Sequence, residues 1–349
     1  MLSRASLLSV WKAISVGQLS VPCIVQASMH VAVQSRHPVA KAMVPARALD
    51  RSRCFSRTAQ KPSKGTEEEE IKSLEVLRAK AADGNIAAQF NLGQAYLNGH
   101  HGLTPSPKDA THWIQKAAEG GSSEAQFFMG VHSMNGTGID KNVQKAIEWF
   151  KLSAAQGTRA AHFNLGLIYE EGNGVPRDAT TAAQHYAEAV AGDDLHAAVK
   201  LARLHLAGDG VERDLKTATD LLRKPANKGI PEAQLAFGLL QIQGGTPGER
   251  KRGLEMVEQA AEGGNTQAMH LLGASLVEGF WGTKDEAKGL PWLQKAAASG
   301  NPQSQFILYQ RLSKGKGMEK EALSWLQKAA AAGHPEALKR LAETRSASA

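Results

Sequence analysis

The sequence predicts an all-α fold, a solenoid of stacked helices, on three observations. A layout of about 36 residues returns along the chain, clearest from Gln126 to Gly157. Tandem units of that period stack on one another, each burying a face that it cannot bury alone. Aromatic residues are only 5% of the chain while Ala and Gly abound, which suits close helix stacking. The Val/Ile-rich runs that a barrel or doubly wound sheet would bury are missing. At 349 residues the chain exceeds what one compact core serves, and a repeat array resolves the excess.

The formal charge of +7 is unevenly placed. Residues 1–64 hold ten Lys/Arg against the single acid Asp50, a balance of +9, and the rest of the chain sums to −2. The basic character therefore belongs to the tail, and the body has no net field for a phosphate backbone, so no nucleic-acid partner is expected. Cys23 and Cys54 also lie in the tail, leaving the body without a disulfide, a thiolate metal site or a cysteine nucleophile.

Residues 1–64 read as a transit peptide or disordered basic tail, and 65–349 as the repeat array. Through residue 49 there is no Asp or Glu, Ser and Arg recur, and Leu7, Trp11 and Ile14 share a helical face, the composition of a mitochondrial presequence. Arg53-Cys54-Phe55-Ser56 resembles the Arg-x-Phe-Ser pattern at which presequences are cut, so a mature chain is expected to begin near Phe55 or Ser56. The rival is a secretory signal with Val21 to Val33 as its apolar region. Pro22, Gln26, Ser28 and His30 interrupt that run, and Arg-rich sequence follows it. No run of about 18 apolar residues exists, so no membrane span is expected.

The first helix is expected from Thr66, which stands in capping-box spacing with Glu69. Ile71, Leu74, Leu77 and Ala81 give it one apolar side, and as the second half of an incomplete unit it serves as a cap. Seven helix pairs follow. Their first helices centre on Gly93, Gly130, Gly166, Ala202, Gly238, Gly273 and Tyr309. An apolar residue stands one place earlier and a small one, Ala88 to Ser304, four places before that. A small residue amid i, i+4 contacts marks a face pressed close to a neighbour. Gly-rich stops at Gly136-Thr-Gly138, Gly172-Asn-Gly174, Gly208-Asp-Gly210, Gly244-Gly245 and Gly315-Lys-Gly317 supply left-handed C′ residues. They follow no strand and lack Gly-Lys-Ser/Thr, which argues against a phosphate cradle.

Second helices are expected to open at N-caps Asp109, Asn142, Asp178, Asp214 and Asp285. Trp113, Trp149, His185-Tyr186, Leu221-Leu222, Val257, Trp292 and Trp325 recur at matching places, and residues so spaced read as core. Five of them close on Ala-Ala and a Gly, from Ala117-Ala118 with Gly121 to Ala329-Ala330 with Gly333. A last helix from Pro335, with Leu338 and Leu341 inward, caps the other end.

The layout Ala-x-x-x-Leu-Gly-x-x-Tyr, Gly-x-Gly-Val-x-x-Asp, Lys-Ala-x-x-Trp-Phe, Ala-Ala-x-x-Gly resembles the Sel-like repeat, a relative of the tetratricopeptide repeat. Gly166, Tyr169, Gly172, Gly174, Val175 and Asp178 carry the match in one copy; Lys145, Ala146, Trp149 and Phe150 carry it in another. The resemblance spans about residues 66–345. It implies a right-handed superhelix of antiparallel helix pairs that binds proteins or peptides, as adaptor or assembly factor. The fourth pair departs most, with Ala202 for Gly, Leu221 for Trp, and Pro225 late in its second helix, where the lost donor predicts a bend or loosening. The first pair has an enlarged loop, His100 to Pro107.

Chemical motifs are missing. His100 and His101 lack an HExxH or Cys-x-x-Cys partner set, and neither a nucleophile elbow nor a dinucleotide fingerprint occurs. No catalytic residue, cofactor, metal or small-molecule substrate is expected. By analogy with tetratricopeptide repeats, the concave face built from first helices takes the residues one and five after each central small residue. These include Gln94, Asn98, Asn135, Glu171, Arg203, Gln243, Glu278, Gln310 and Lys314. Their mixed polarity lacks a basic clamp for an acidic C-terminus. The expected function is a mitochondrial protein-binding scaffold, in the matrix or at the inner membrane, that assists assembly or regulation of a protein complex. The alternatives are an endoplasmic-reticulum quality-control adaptor and a constitutive subunit of a large mitochondrial complex.

Overall fold

The structure, a computed structural model, describes residues 67–346 apart from 283 and 316. The expected presequence, Cys23, Cys54 and the Thr66 cap lie outside those residues. Sixteen α-helices and no strand occur among the described residues. They divide into two compact units, with the division between residues 213 and 214. The first unit contains α1 (Glu67–Ala82), α2 (Ile86–Asn98), α3 (Pro107–Glu119), α4 (Ser123–Asn135), α5 (Val143–Ala155), α6 (Arg159–Glu171), α7 (Ala179–Ala191) and α8 (Leu195–Ala207). The second contains α9 (Leu215–Asn227), α10 (Pro231–Gly244), α11 (Pro247–Glu262), α12 (Thr266–Glu278), α13 (Glu286–Ala298), α14 (Pro302–Leu312), α15 (Glu319–Ala331) and α16 (Pro335–Ser346). Within each unit every helix packs on the one before and the one after it. That is the arrangement of an α-solenoid.

The central glycines work as the spacing suggests. A Cβ on Gly130 would stand 2.5 Å from the Phe150 ring, one on Gly166 2.5 Å from the Tyr186 ring, and one on Gly93 2.5 Å from Ile114. Each glycine thus admits a large side chain from the second helix of its own pair, and that contact offsets the ~1 kcal/mol a helical glycine costs. The side chains admitted differ from those expected by one residue in four pairs. Ile114, Phe150, Leu293 and Leu326 are fully buried, whereas Trp113, Trp149, Trp292 and Trp325 are only half-buried. The indole, too long for the slot facing the glycine, lies along the rim. There Lys116, Lys295 and Lys328 stand over Trp113, Trp292 and Trp325 at 4.6, 4.4 and 4.2 Å, in cation–π contact. Tyr186, Leu222 and Val257 are core as expected.

Several local expectations shift in detail. Ser106, not Asp109, caps α3: its Oγ accepts from the Asp109 amide, which places Asp109 at the third helical position. The other four N-caps hold. Gly136, Gly172 and Gly208 are left-handed C-caps, but Gly245 is extended because α11 starts immediately behind it. There Thr246 and Glu249 form a reciprocal capping box that was legible in the sequence and passed over. Gly315 is not left-handed either, since α14 has already ended on Ser313. Helix α9 runs through buried Pro225 to Asn227. In α16 the inward residues are Ala337, fully buried, and Leu341, while Leu338 is exposed.

A further device ties four of the seven pairs to the helix before them. Gln89, Gln126 and Gln305, each second in an Ala-Gln or Ser-Gln step of a first helix, donate from Nε2 to Ala81, Ala118 and Ala297 carbonyls at 3.1, 3.2 and 3.0 Å. These carbonyls belong to last turns, where the side-chain amide joins the N–H of the following loop glycine (Gly84, Gly121, Gly300) as a second donor. In the third pair His162 Nε2 does the same for Ala154, at 3.2 Å.

Candidate functional site

The predicted site residues do not share one environment. Asn98, Asn135 and Glu171 are the last residues of α2, α4 and α6 and are exposed. Asn98 donates to the Gln94 carbonyl at 2.9 Å, and Gln94 is half-buried with an unpartnered Nε2. Gln243 and Lys314 are exposed and Gln310 is half-buried. Glu278 accepts from Arg311 at 3.0 Å, and the same guanidinium reaches Glu286 at 2.7 Å. The structure therefore joins Glu278 to an arginine that the spacing rule did not select.

Arg203 is committed to an internal network. It pairs with Glu170, a carboxylate only 6% exposed, which also accepts from the Tyr186 hydroxyl at 2.6 Å and has Lys200 at 3.8 Å. Burial first, and the negative charge of Glu171 second, push the Tyr186 phenol up. It thus stays protonated and donates. Burial lowers the Arg203 guanidinium and the charge of Asp209 opposes that. A carboxylate so deep is tolerable only with its lone pairs satisfied, so these donors are structural.

The middle of the expected first-helix face is closed in the first unit. Every residue of α4 from Ala125 to Met134 is buried, and in α6 Phe163 and Leu167 are buried as well. Phe127 and Phe163 pack on Phe150 and Tyr186 with ring centroids 5.8 and 5.9 Å apart. What remains open is the edge where first helices end and Gly-x-Gly loops begin. On that edge, beside Asn135, lies a groove of about 940 Å³ between α3, the 136–142 loop and α5. Lys108, Lys141 and Lys145 line it together with Asp140, Glu148 and the half-buried Trp149. Ser133, 1% exposed, also lines it, and its Oγ has no hydrogen-bond partner. Spacing could not reveal this groove, because it depends on how the 136–142 loop folds back. Thr111 Oγ1 donates to the Thr137 carbonyl at 2.8 Å and accepts from His132 Nδ1 at 2.6 Å. Burial lowers the pKa of His132 to about 4, which keeps it neutral.

Among the described residues no three His, Cys, Asp or Glu side chains gather in metal-binding geometry, and no helix is long and apolar enough to cross a membrane. Mixed charge, an aromatic face and an unused hydroxyl suit a peptide more than a small polar metabolite.

No curated protein matches the chain. Solved structures do. A protective antigen of uropathogenic Escherichia coli strains with an SLR fold is 30% identical at a TM-score of 0.66, over 77% of this chain and 58% of that one. A Sel1 repeat protein of Oxalobacter formigenes is 27% identical at a TM-score of 0.65, over 81% of this chain and 83% of that one. The family model for the Sel1 repeat matches seven times, at residues 86–122, 123–158, 159–194, 195–230, 231–265, 266–301 and 311–334. Six of these matches begin at the start of a first helix and run to the end of its pair, while the seventh begins inside α14. With most of its length in such matches and an all-helical solenoid to correspond, the chain belongs to the Sel1 repeat family.

Proposed function

We propose that this protein is a non-enzymatic scaffold that holds a protein or peptide partner in mitochondria and assists assembly or regulation of a protein complex there. A Sel1 repeat solenoid is a fold typical of protein-binding scaffolds. The compartment rests on the tail, acid-free through residue 49 and rich in Ser and Arg. One observation carries the binding role: the groove beside α4, where three lysines, two acids and an indole face open space next to a first helix that is itself buried from Ala125 to Met134. The partner is gripped along the loop edge, with Asn98, Asn135 and Glu171 flanking the groove's repeat, rather than across the middle of the first helices.

The test is affinity capture from mitochondria with the wild-type chain and with Lys108→Glu/Lys145→Glu. A partner lost in the variant while its helical CD signal is unchanged supports the reading, and an identical set of partners refutes it. Import of the labelled full chain into isolated mitochondria, with shortening near Phe55, tests the compartment. A chain left outside and uncut would rule it out.

A further inference from the structure

The seven pairs provide an internal reference, and in the third the two departures from it are both histidines, in touching positions. One first-helix place holds Gln in four pairs (Gln89, Gln126, Gln234, Gln305), Ala198 in the fourth, Met269 in the sixth and His162 in the third. The second-helix place just before the core residue holds Trp in four pairs (Trp113, Trp149, Trp292, Trp325) and His185 in the third. The two imidazoles meet with their Nδ1 atoms 3.2 Å apart and ring centroids 5.4 Å apart. Tyr169 stacks on the far side of His185, at 5.8 Å and an interplanar angle of 12°.

Hydrogen bonding settles one tautomer. His162 Nε2 lies 3.2 Å from the Ala154 carbonyl, so it carries the proton, and the Nδ1 lone pair is turned towards His185, whose Nδ1–H donates to it. An imidazole whose one N–H is tied to a backbone carbonyl, leaving a lone pair on the other nitrogen, is the usual state of a metal-bound histidine. Two nitrogens on one tetrahedral ion, each at about 2.0–2.1 Å, stand about 3.3 Å apart. The observed separation is close to that edge, while the indole and amide of the sister pairs could not chelate.

We propose that His162 and His185 form a two-histidine site for a divalent transition ion, zinc or copper, which clips α6 to α7. Water fills the remaining coordination positions, and Glu188 offsets the repulsion from Lys151. Binding requires no net proton release: His185 need only carry its proton on Nε2 instead of Nδ1. Zinc and copper suit imidazole donors better than magnesium or calcium, which take oxygen.

The test is calorimetric titration of the full chain with zinc chloride, in a background of Cys23→Ser and Cys54→Ser that removes the tail thiols. His162→Gln and His185→Trp restore the sister pairs' residues, so the carbonyl bond and the fold are kept. Each variant is expected to lose at least tenfold in zinc affinity, and zinc should raise the melting temperature of the parent only. An isotherm unchanged in either variant overturns the site. Zinc titration of the parent followed by imidazole NMR gives a second reading that needs no variant: the His162 and His185 ring signals are expected to move together, and their staying fixed overturns the site as well.

Discussion

Substituting Gly130 by Ala tests the packing logic of the solenoid most directly. On an isolated helix the change should stabilise by ~1 kcal/mol, because glycine is the poorer helix former. Here the new Cβ stands 2.5 and 2.6 Å from Phe150 ring carbons. Phe150 is fully buried and already set against Phe127 at 5.8 Å, so the ring cannot swing away without moving the core. Overpacking of that kind costs about 1–3 kcal/mol, and a net loss of roughly 1–2 kcal/mol remains after the propensity gain. Shortening the ring with Phe150→Leu leaves a void and costs on the order of 1–2 kcal/mol alone. In the double variant the methyl and the void accommodate each other, so the combined loss should fall short of the sum by about 1 kcal/mol. Urea unfolding followed by far-UV CD on all four proteins measures the cycle. If Gly130→Ala is neutral or stabilising, or if the two changes add within ~0.4 kcal/mol, the glycine is not the receiver of Phe150 and the reasoning fails.

Three further outcomes follow from the same geometry. Tyr186→Phe removes the hydroxyl that donates to buried Glu170 at 2.6 Å and should cost about 1–3 kcal/mol, whereas Arg203→Ala leaves that carboxylate without its closest cation and should cost more, about 3–5 kcal/mol. Equal and small shifts of the urea midpoint for both would show the network to be dispensable. Acid should destabilise the fold before most carboxylates titrate: His132, His185 and His270 have pKa values lowered by burial to about 4 from 6.5. The unfolded chain binds protons first, so the stability these residues contribute is complete above pH 6.5 and is lost as pH falls towards 4. For His132, 3% exposed, this amounts to roughly 3 kcal/mol. A flat urea midpoint between pH 6.5 and 4.5 would exclude it. Gln126→Ala should cost about 1 kcal/mol by removing one of the two donors to the Ala118 carbonyl, the Gly121 amide remaining, and amide exchange at the end of α3 should quicken if the bond exists as described.

How much of this was legible in the chain depends on the range of the interaction. Helix existence, repeat period and four of the five expected N-caps were readable, because a cap or an i, i+4 stripe is settled by residues within one turn of each other. Asp109 was misplaced by three residues because Ser106 competes for the same amides, a local contest that the spacing left open. The tryptophans were misread for a different reason. Trp149 and Phe150 are adjacent and both apolar, and which of them fills the slot depends on the width left by Gly130 on another helix.

By itself the sequence determined that this chain is a helical array, where its units begin and end, that small residues make their contacts, and that its basic charge is confined to the tail. Only the tertiary structure decided which side chains occupy those contacts, that α4 is buried from Ala125 to Met134, that Arg203 serves Glu170, and that His162 meets His185. The reason is physical. Repeat spacing reports interactions that recur in every copy, whereas a groove, a buried ion pair or a histidine pair arises once, between residues 16 to 33 positions apart, and is set by the packing of one particular helix on the next.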